Sequence, residues 1–522
     1  MLVVAIGLLV AVAVLAKVGH NIYIYLLDPY GLRKFPSTGF SGITSLWSMY
    51  HNYRYKRFYA IHKAHEKLGP VVRVQPHHLS FSAPDAFYDI YSHSATRIIK
   101  DEFYDSITGE FHATGDSRSR EEHSRKRRSV AHAFSMRGAA EYEPAIMKVS
   151  ADLINQMDKR TVNNGVSSFT VDKWIHLFTF DAIGDVLFSN SFRFLHLGDD
   201  ICVAEMKDGK QYSVHAIESF LGSARFSNVP GYLGNVSAKF LKRYVLFWTY
   251  GVKMGNNYDG MSVYRINRRI ESSDFNPNDI MSRLLAVGSK PGEKKLQFGE
   301  LVAECNSLVN AGNSTIGAAL TNTVFHLAKN PNIQAKLQLL LDECMAEDVV
   351  VPNHDMIKDC QYLRACIDES LRDKPPVGIG LPRLLPPEGA TIAGHFVPGN
   401  TTVSAATWTI HHDPHLFPEP FKYRPERWLD EKEGPIARKY CLPFSTGGRA
   451  CVGRNLAYLE MDIAVATLFH RYNVELADPS FELKSFEWFN STPGPLPIKL
   501  TRKYARVIIS DLAICLSPSV HF

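Results

Sequence analysis

Apolar residues run unbroken from Leu2 to Val14 and on to Ala16, pause at Lys17, and resume from Ile22 to Leu27. As one helix this stretch meets the roughly 20 largely apolar residues that a bilayer core requires, with Lys17 and His20 left to snorkel or to face protein. The pattern predicts a single N-terminal membrane anchor over residues 1–28, a globular body over 29–504, and a moderately apolar tail of no assigned role over 505–522. A cleaved signal peptide is the rival reading, but it calls for a basic segment ahead of the apolar run, and none is present. Arg33, Lys34, Arg54, Lys56 and Arg57 follow the run, which puts the body on the cytoplasmic side. In a cell with an endoplasmic reticulum, the expectation is a single-pass protein of that membrane, facing the cytosol.

Beyond the anchor, Phe35 to Gly39 forms a short turn-rich hinge. Apolar spacing with a helical period marks Glu300 to Leu327, Met356 to Leu371 and Asn455 to Leu468. Period-two alternation is confined mainly to Val71–Ser82 and Thr391–Val403, which read as short strands. Helices and strands do not alternate regularly, so a mainly α fold with small β-sheets is expected rather than a doubly wound parallel sheet. Internal repeats and low-complexity tracts are absent from the sequence.

Composition narrows the function. With 522 residues, 45% of them apolar, the chain can bury a large core. Its 58 basic and 53 acidic residues are too evenly balanced for charge to mark a nucleic-acid-binding protein. Eight cysteines contain no CxxC pair and no cluster suited to zinc or an iron–sulfur centre, so most read as small buried side chains.

Cys451 is different. Phe444, Gly447, Arg449, Cys451 and Gly453 stand at spacing F-x-x-G-x-R-x-C-x-G. A thiolate rather than a thiol ligates metal, and the start of a following helix stabilises a negative sulfur through its free N–H groups and dipole. Glycines at 447, 448 and 453 allow tight turns and close approach to a flat cofactor. Arg449 can pair with a carboxylate, and Phe444 can shield the sulfur. A chance match at these positions has odds of roughly one in ten thousand.

This segment resembles the haem-binding loop of the cytochromes P-450, and the other motifs of that family follow in order between about Pro36 and Lys503. The resemblance implies the cytochrome P-450 fold and haem b with Cys451 as axial ligand. Glu369 and Arg372 in E-S-L-R, with Arg427 in P-E-R-W, resemble the family's buried ionic network. His123 and Arg127 resemble its propionate-binding pair, and Arg383 is a third propionate candidate. The run Arg125 to Arg128 implies a basic face for NADPH–cytochrome P-450 reductase, with cytochrome b5 as a second candidate donor.

Ala311-Gly312-Asn313-Ser314-Thr315 resembles the family's A-G-x-(D/E)-T groove in the central helix. There Ala311 and Gly312 leave room for dioxygen against a locally opened helix, and Thr315 relays protons. The usually acidic position is Ser314, whose hydroxyl orders water but is no proton reservoir. That departure keeps open a reductase-independent haem-thiolate isomerase or dehydratase as the alternative to a monooxygenase.

Other strings resemble fungal microsomal members, nearest to benzoate para-hydroxylases and tailoring oxidases of secondary metabolism. By family position a lipophilic small molecule meets segments 101–116, 217–230, 305–312, 377–381 and 489–495, while Phe220 to Tyr250 dips into the bilayer. Arg225 and nearby Lys100 are the basic residues there, which speaks against a carboxylate such as benzoate and for a tailoring oxidase.

Overall fold

The structure is a computed structural model describing residues 2–161, 167–240, 242, 250–272, 278–287 and 294–503, with the backbone alone at 2–14, 167, 235 and 236. The first helix is Leu2–Leu27. Among the described residues no helix is long and apolar enough to cross a membrane. The side chains of residues 2–14, the larger part of the predicted anchor's apolar run, lie outside the described residues, as does the tail 505–522.

The core is helical. Helices Glu143–Arg160, Val171–Phe188, Phe298–Lys329, Gln361–Asp373 and Arg454–Arg471 bury their apolar faces in one cluster. The central helix Phe298–Lys329 starts at a capping box between Gln297 and Glu300 and runs 32 residues, or about 48 Å at 1.5 Å per residue. From Ile316 to Ala328 every residue is buried, so the helix passes through the interior rather than along its surface. It lies against Val171–Phe188 because two glycines let the backbones close up. A Cβ on Gly317 would stand 2.9 Å from His176 Nδ1, and one on Gly312 would stand 2.8 Å from Ile183 Cδ1.

Small sheets flank this core. The largest orders its strands Val71–Gln75, His78–Phe81, Thr402–Ala405, Arg383–Leu384 and Ile99–Lys100. Its register sets Lys100 directly opposite Arg383. A three-stranded sheet and three hairpins complete the β-structure of the described residues.

Two expectations are corrected here and one unpredicted element is added. The helix predicted over Met356–Leu371 is two, His354–Ile357 and Gln361–Asp373, because the chain turns at 358–360 so that both Ile357 and Cys360 reach the core. The hairpin Ile201–Glu205 with Gln211–His215 was not predicted, although Asp208-Gly209 at its turn, with Gly209 at φ +83°, is a strong hairpin signal. Phe220 does not face a bilayer: it is buried against Tyr258 in the helix Ala216–Gly231, and exposure in that region falls to Phe240 and Tyr250, with 241 and 243–249 outside the described residues.

Candidate active site

A cavity of about 2020 Å³ lies between the cysteine loop and the central helix. Phe444, Arg449, Cys451 and Gly453 line one side; Ala311, Gly312 and Thr315 line the other. Pockets for one drug-sized ligand span roughly 300–1,000 Å³, so this space accommodates a flat macrocycle and an organic substrate together.

The cysteine loop is built by its own backbone. Cys451 N donates to Phe444 O at 2.9 Å, and Gly453 caps the helix Arg454–Arg471. Gly447 has φ +73°, and a Cβ there would lie 2.1 Å from Tyr91 O, so only glycine fits. A Cβ on Gly448 would meet nothing and one on Gly453 only ordinary contacts. The protein alone therefore does not demand those two glycines, and Gly453 leaves space along the cavity that it lines.

Among the described residues Cys451 is the one exposed cysteine, and it opens into the cavity. Although that face is open, the protein atoms crowded around the sulfur push its thiol up, opposed by the N–H groups of Gly453 and Arg454 and the guanidinium of Arg127. Binding a metal overrides that balance, since a coordinating thiol loses its proton outright.

Beside the loop stands a cluster of cations. Arg449 Nη1 donates to Ser117 O at 2.5 Å, Arg127 Nη1 to Ala450 O at 2.8 Å, Arg383 Nη1 to Pro382 O at 3.1 Å, and Lys100 Nζ to Gly115 O. These four groups make no ion pair with any described residue. Burial, with Arg383 and Arg449 nearby, holds Lys100 well below its ordinary range. Burial and the same cations push His123 down to about 3, so it is neutral. Like charges directly opposite across two strands, as at Lys100 and Arg383, are unfavourable unless an anion joins them. This donor set fits a cofactor that carries two carboxylates. Lys100 belongs to it, which sequence reasoning assigned only to the substrate side.

The ionic network is assembled and buried. Glu369 accepts from Arg372 Nε at 2.9 Å and Nη2 at 3.0 Å, Arg427 Nε at 2.9 Å, Arg424 N at 3.0 Å and Trp428 Nε1 at 3.0 Å. Arg372 Nη1 donates to His411 O at 2.9 Å, and the His411 ring accepts Leu442 N at 3.1 Å, two residues before Phe444. His411 thus ties the network to the cysteine loop. Burial first, then His412 and Arg372, push it down to about 3, which keeps Nε2 an acceptor. Nothing in its sequence position marked it.

On the opposite wall the helix does not open: residues 298–329 are continuous α-helix. Thr315 faces the cavity and its hydroxyl donates to Ala311 O at 2.6 Å, a turn earlier. Gly312 lines the cavity, yet its missing side chain is filled by Ile183, so the glycine serves helix packing rather than an open groove. Ser314 is buried, donating toward Asn310 O at 2.8 Å and accepting Asn490 Nδ2 at 2.8 Å, and does not line the cavity. Its hydroxyl is spent on a loop contact instead of on cavity water.

Most of the Arg125–Arg128 run also turns inward. Arg125 pairs with Glu122 and Glu300, each at 2.6 Å, and Lys126 is buried beside Glu304. Arg128 is the exposed member. Arg225 stacks over Tyr53 and Tyr55 and does not line the cavity. The distal walls carry Ile107, Phe111, Phe220, Leu308 and Phe489, with Asn306, Asn310 and Asn490 among them and charged residues such as Lys207, Lys239, Lys242, Glu205 and Asp259 also in the lining.

Comparison with known proteins bears on this geometry. The cytochrome P-450 family model matches residues 39–502. Benzoate 4-monooxygenase bphA of Aspergillus niger is 32% identical over 502 residues, covering 92% of this chain and 95% of its own length. Trichothecene C-15 hydroxylase of Fusarium sporotrichioides is 30% identical over 469 residues, covering 88% of this chain and 90% of its own. Cytochrome P-450 monooxygenase atr2 of Stereocaulon alpinum is 31% identical over 490 residues, covering 92% of each.

Proposed function

The chain belongs to the cytochrome P-450 family, and from that premise we propose that it inserts one oxygen atom from dioxygen into a lipophilic small molecule, as a tailoring step of fungal secondary metabolism. The observation that carries the reading is one cavity walled by the Cys451 loop, by Thr315 and by cations without ion-pair partners. Relatives named as monooxygenases and hydroxylases favour oxygen insertion over the isomerase or dehydratase class.

Haem b, when bound, supplies activation of dioxygen with electrons from NADPH through a reductase, with cytochrome b5 as an auxiliary donor. The chain supplies the rest. Cys451 would supply the thiolate that holds the iron, while Lys100, Arg127, Arg383 and Arg449 would offer donors to the two carboxylates, with neutral His123 among them. Thr315 holds a hydroxyl proton at the cavity surface, and rotation away from Ala311 O would turn that proton toward the reacting centre. Apolar walls exclude water and receive the substrate. Arg225 stays out of the cavity, which removes one candidate for holding a carboxylate, although Lys207, Lys239 and Lys242 do line it.

Membrane attachment is part of the same proposal, on the cytosolic face of the endoplasmic reticulum. The apolar run Leu2–Ala16 supports it, as do Leu15, Tyr23, Leu26, Leu27, Phe40 and Leu46, all exposed on or beside the first helix. Arg120 and Arg128 are the exposed basic residues of the helix Arg120–Ala131, and they support docking of an acidic reductase there.

The deciding experiment is product analysis from cells expressing the chain with a reductase and fed candidate lipophilic substrates. Turnover is expected to require NADPH, reductase and dioxygen. Full turnover under anaerobic, NADPH-free conditions would reject oxygen insertion and leave Cys451 as a ligand.

A further inference from the structure

A second cavity, of about 260 Å³, lies where the first helix meets the globular body and is lined by none of the residues of the cysteine loop. Lys17 and Tyr25 reach it from the first helix, and Arg57, Arg73, His77 and Tyr232 from the body. Three of its donors are unsatisfied. Arg57 is 2% exposed, makes no ion pair among the described residues, and its Nε has no hydrogen-bond partner. Arg73, 4% exposed, gives Nε and Nη2 to Pro76 O at 3.0 and 2.6 Å and leaves Nη1 without a partner. The buried Tyr232 hydroxyl has none either, although the Arg57 guanidinium lies 4.8 Å from its ring centroid.

The local carboxylates do not answer these donors. Asp101 lines the cavity, but its oxygens already accept Phe103 N at 2.8 Å and Thr402 Oγ1 at 2.6 Å. Glu102 is exposed at the rim; Asp28, whose charge acts on Arg73, accepts the backbone of Leu32 and Arg33; and Glu487, whose buried carboxyl feels Arg57, lies outside the lining, accepts Phe58 N at 2.7 Å and makes no ion pair with the guanidinium. A buried guanidinium without an ion-pair partner is strongly disfavoured unless an anion joins it. Two such guanidiniums and a phenol converging on one small polar space amount to a binding site for a multivalent oxyanion.

We propose that this cavity binds a phosphate group, presented in the membrane setting by the head of an anionic phospholipid. Its volume lies below the roughly 300–1,000 Å³ of pockets that enclose whole ligands, which suits a headgroup whose chains stay outside. Arginine forks match phosphate oxygens, and Lys17 at the exposed rim adds a third cation. The lipid source rests on the membrane attachment proposed above; the phosphate chemistry does not.

The test uses the full chain in neutral detergent. After incubation with phosphatidic acid, native mass spectrometry is expected to show one retained phospholipid. Arg57→Gln and Arg73→Gln should each weaken retention by roughly tenfold or more, the loss of a charge-assisted hydrogen bond. Lys34→Gln, which removes an exposed cation outside the cavity, should leave it unchanged. Both arginines are buried, so each variant must first give the unmutated carbonyl Soret spectrum; Lys17→Gln repeats the test at the rim without touching a buried group. In a second arm, inorganic phosphate is titrated against chloride of equal ionic strength. A rise in Tm that the arginine variants abolish, without retained lipid, assigns the same site to free phosphate. Retention equal in all variants, or no arginine-dependent response to either ligand, overturns the site. If the chain ignores phosphatidylcholine vesicles, membrane attachment fails instead; if it floats with them yet binds neither ligand, only the site fails.

Discussion

Glu369→Gln removes the one anion shared by two buried guanidiniums. Glu369, Arg372 and Arg427 are at most 1% exposed, and the carboxylate accepts five hydrogen bonds. A glutamine amide keeps the shape but offers one oxygen, and its NH2 group meets donors. Breaking a buried ion pair on one side costs about 3–5 kcal/mol, to which each stranded N–H adds roughly 1–3 kcal/mol if nothing relaxes. Against a total stability of about 5–15 kcal/mol, the variant should sit at or near the edge of folding. The damage should also reach the cysteine loop, through Arg372 to His411 and on to Leu442. The measurements are urea unfolding of the haem-loaded protein and the reduced carbonyl spectrum, with Glu419→Gln as control. Glu419 pairs with Lys422 at 3.3 Å in the open, so its loss should be worth less than about 0.5 kcal/mol. A Glu369→Gln protein that loses less than about 1 kcal/mol and keeps the full thiolate-type band would refute the claim that this network braces the loop.

Thr315→Ala should raise the peroxide released per NADPH consumed severalfold, whereas Ser314→Ala should leave coupling near normal, because Ser314 turns away from the cavity; equal uncoupling in both, read by peroxide assay, would overturn that distinction. Gly312→Ala places a Cβ 2.8 Å from Ile183 and should cost about 1–3 kcal/mol by overpacking, with Ile183→Ala in the same chain recovering part of it; the check is the change in Tm of the single and double variants. Burial pushes Glu304 up to about 7, against about 4.3 in an unfolded chain, so the folded state holds the proton more tightly. Its stabilising effect is full below about pH 4.3 and is lost as pH rises through about 7, a fall of roughly 4 kcal/mol with the opposing pull of Lys126 already included. Glu304→Gln should therefore lose less stability than the unmutated protein between pH 5 and pH 8 in urea unfolding, and identical losses would refute the assignment. Glu487 is pushed up to about 7 as well, which is why the difference between the two proteins is the quantity to read.

Local signals in the sequence were enough for the parts of this protein that depend on neighbours along the chain. The periodicity of residues 300–327 and 455–468 marked helices observed at Phe298–Lys329 and Arg454–Arg471, because burying an apolar face imposes a repeat that composition preserves. The loop from Phe444 to Gly453 was legible for the same reason: its turn, its thiolate and the helix start that follows all lie within a dozen residues. Glu369, Arg372 and Arg427 were legible through family resemblance, yet Trp428, Arg424 N and His411, which complete and transmit their network, come from chain segments that only folding brings together. Side-chain direction was likewise decided in three dimensions. Ser314 and Thr315 are adjacent, but helical geometry turns one to Asn490 and the other to the cavity, and the close crossing of Val171–Phe188 turns Gly312 from a groove into a packing site. Charge was the least legible feature. Arg125, Lys126 and Arg127 look like a solvated run, yet tertiary contacts draw them inward, while strand pairing sets Lys100 against Arg383, although more than 280 residues separate them. A sequence records which charges exist; only the fold decides which lose water and must find a partner.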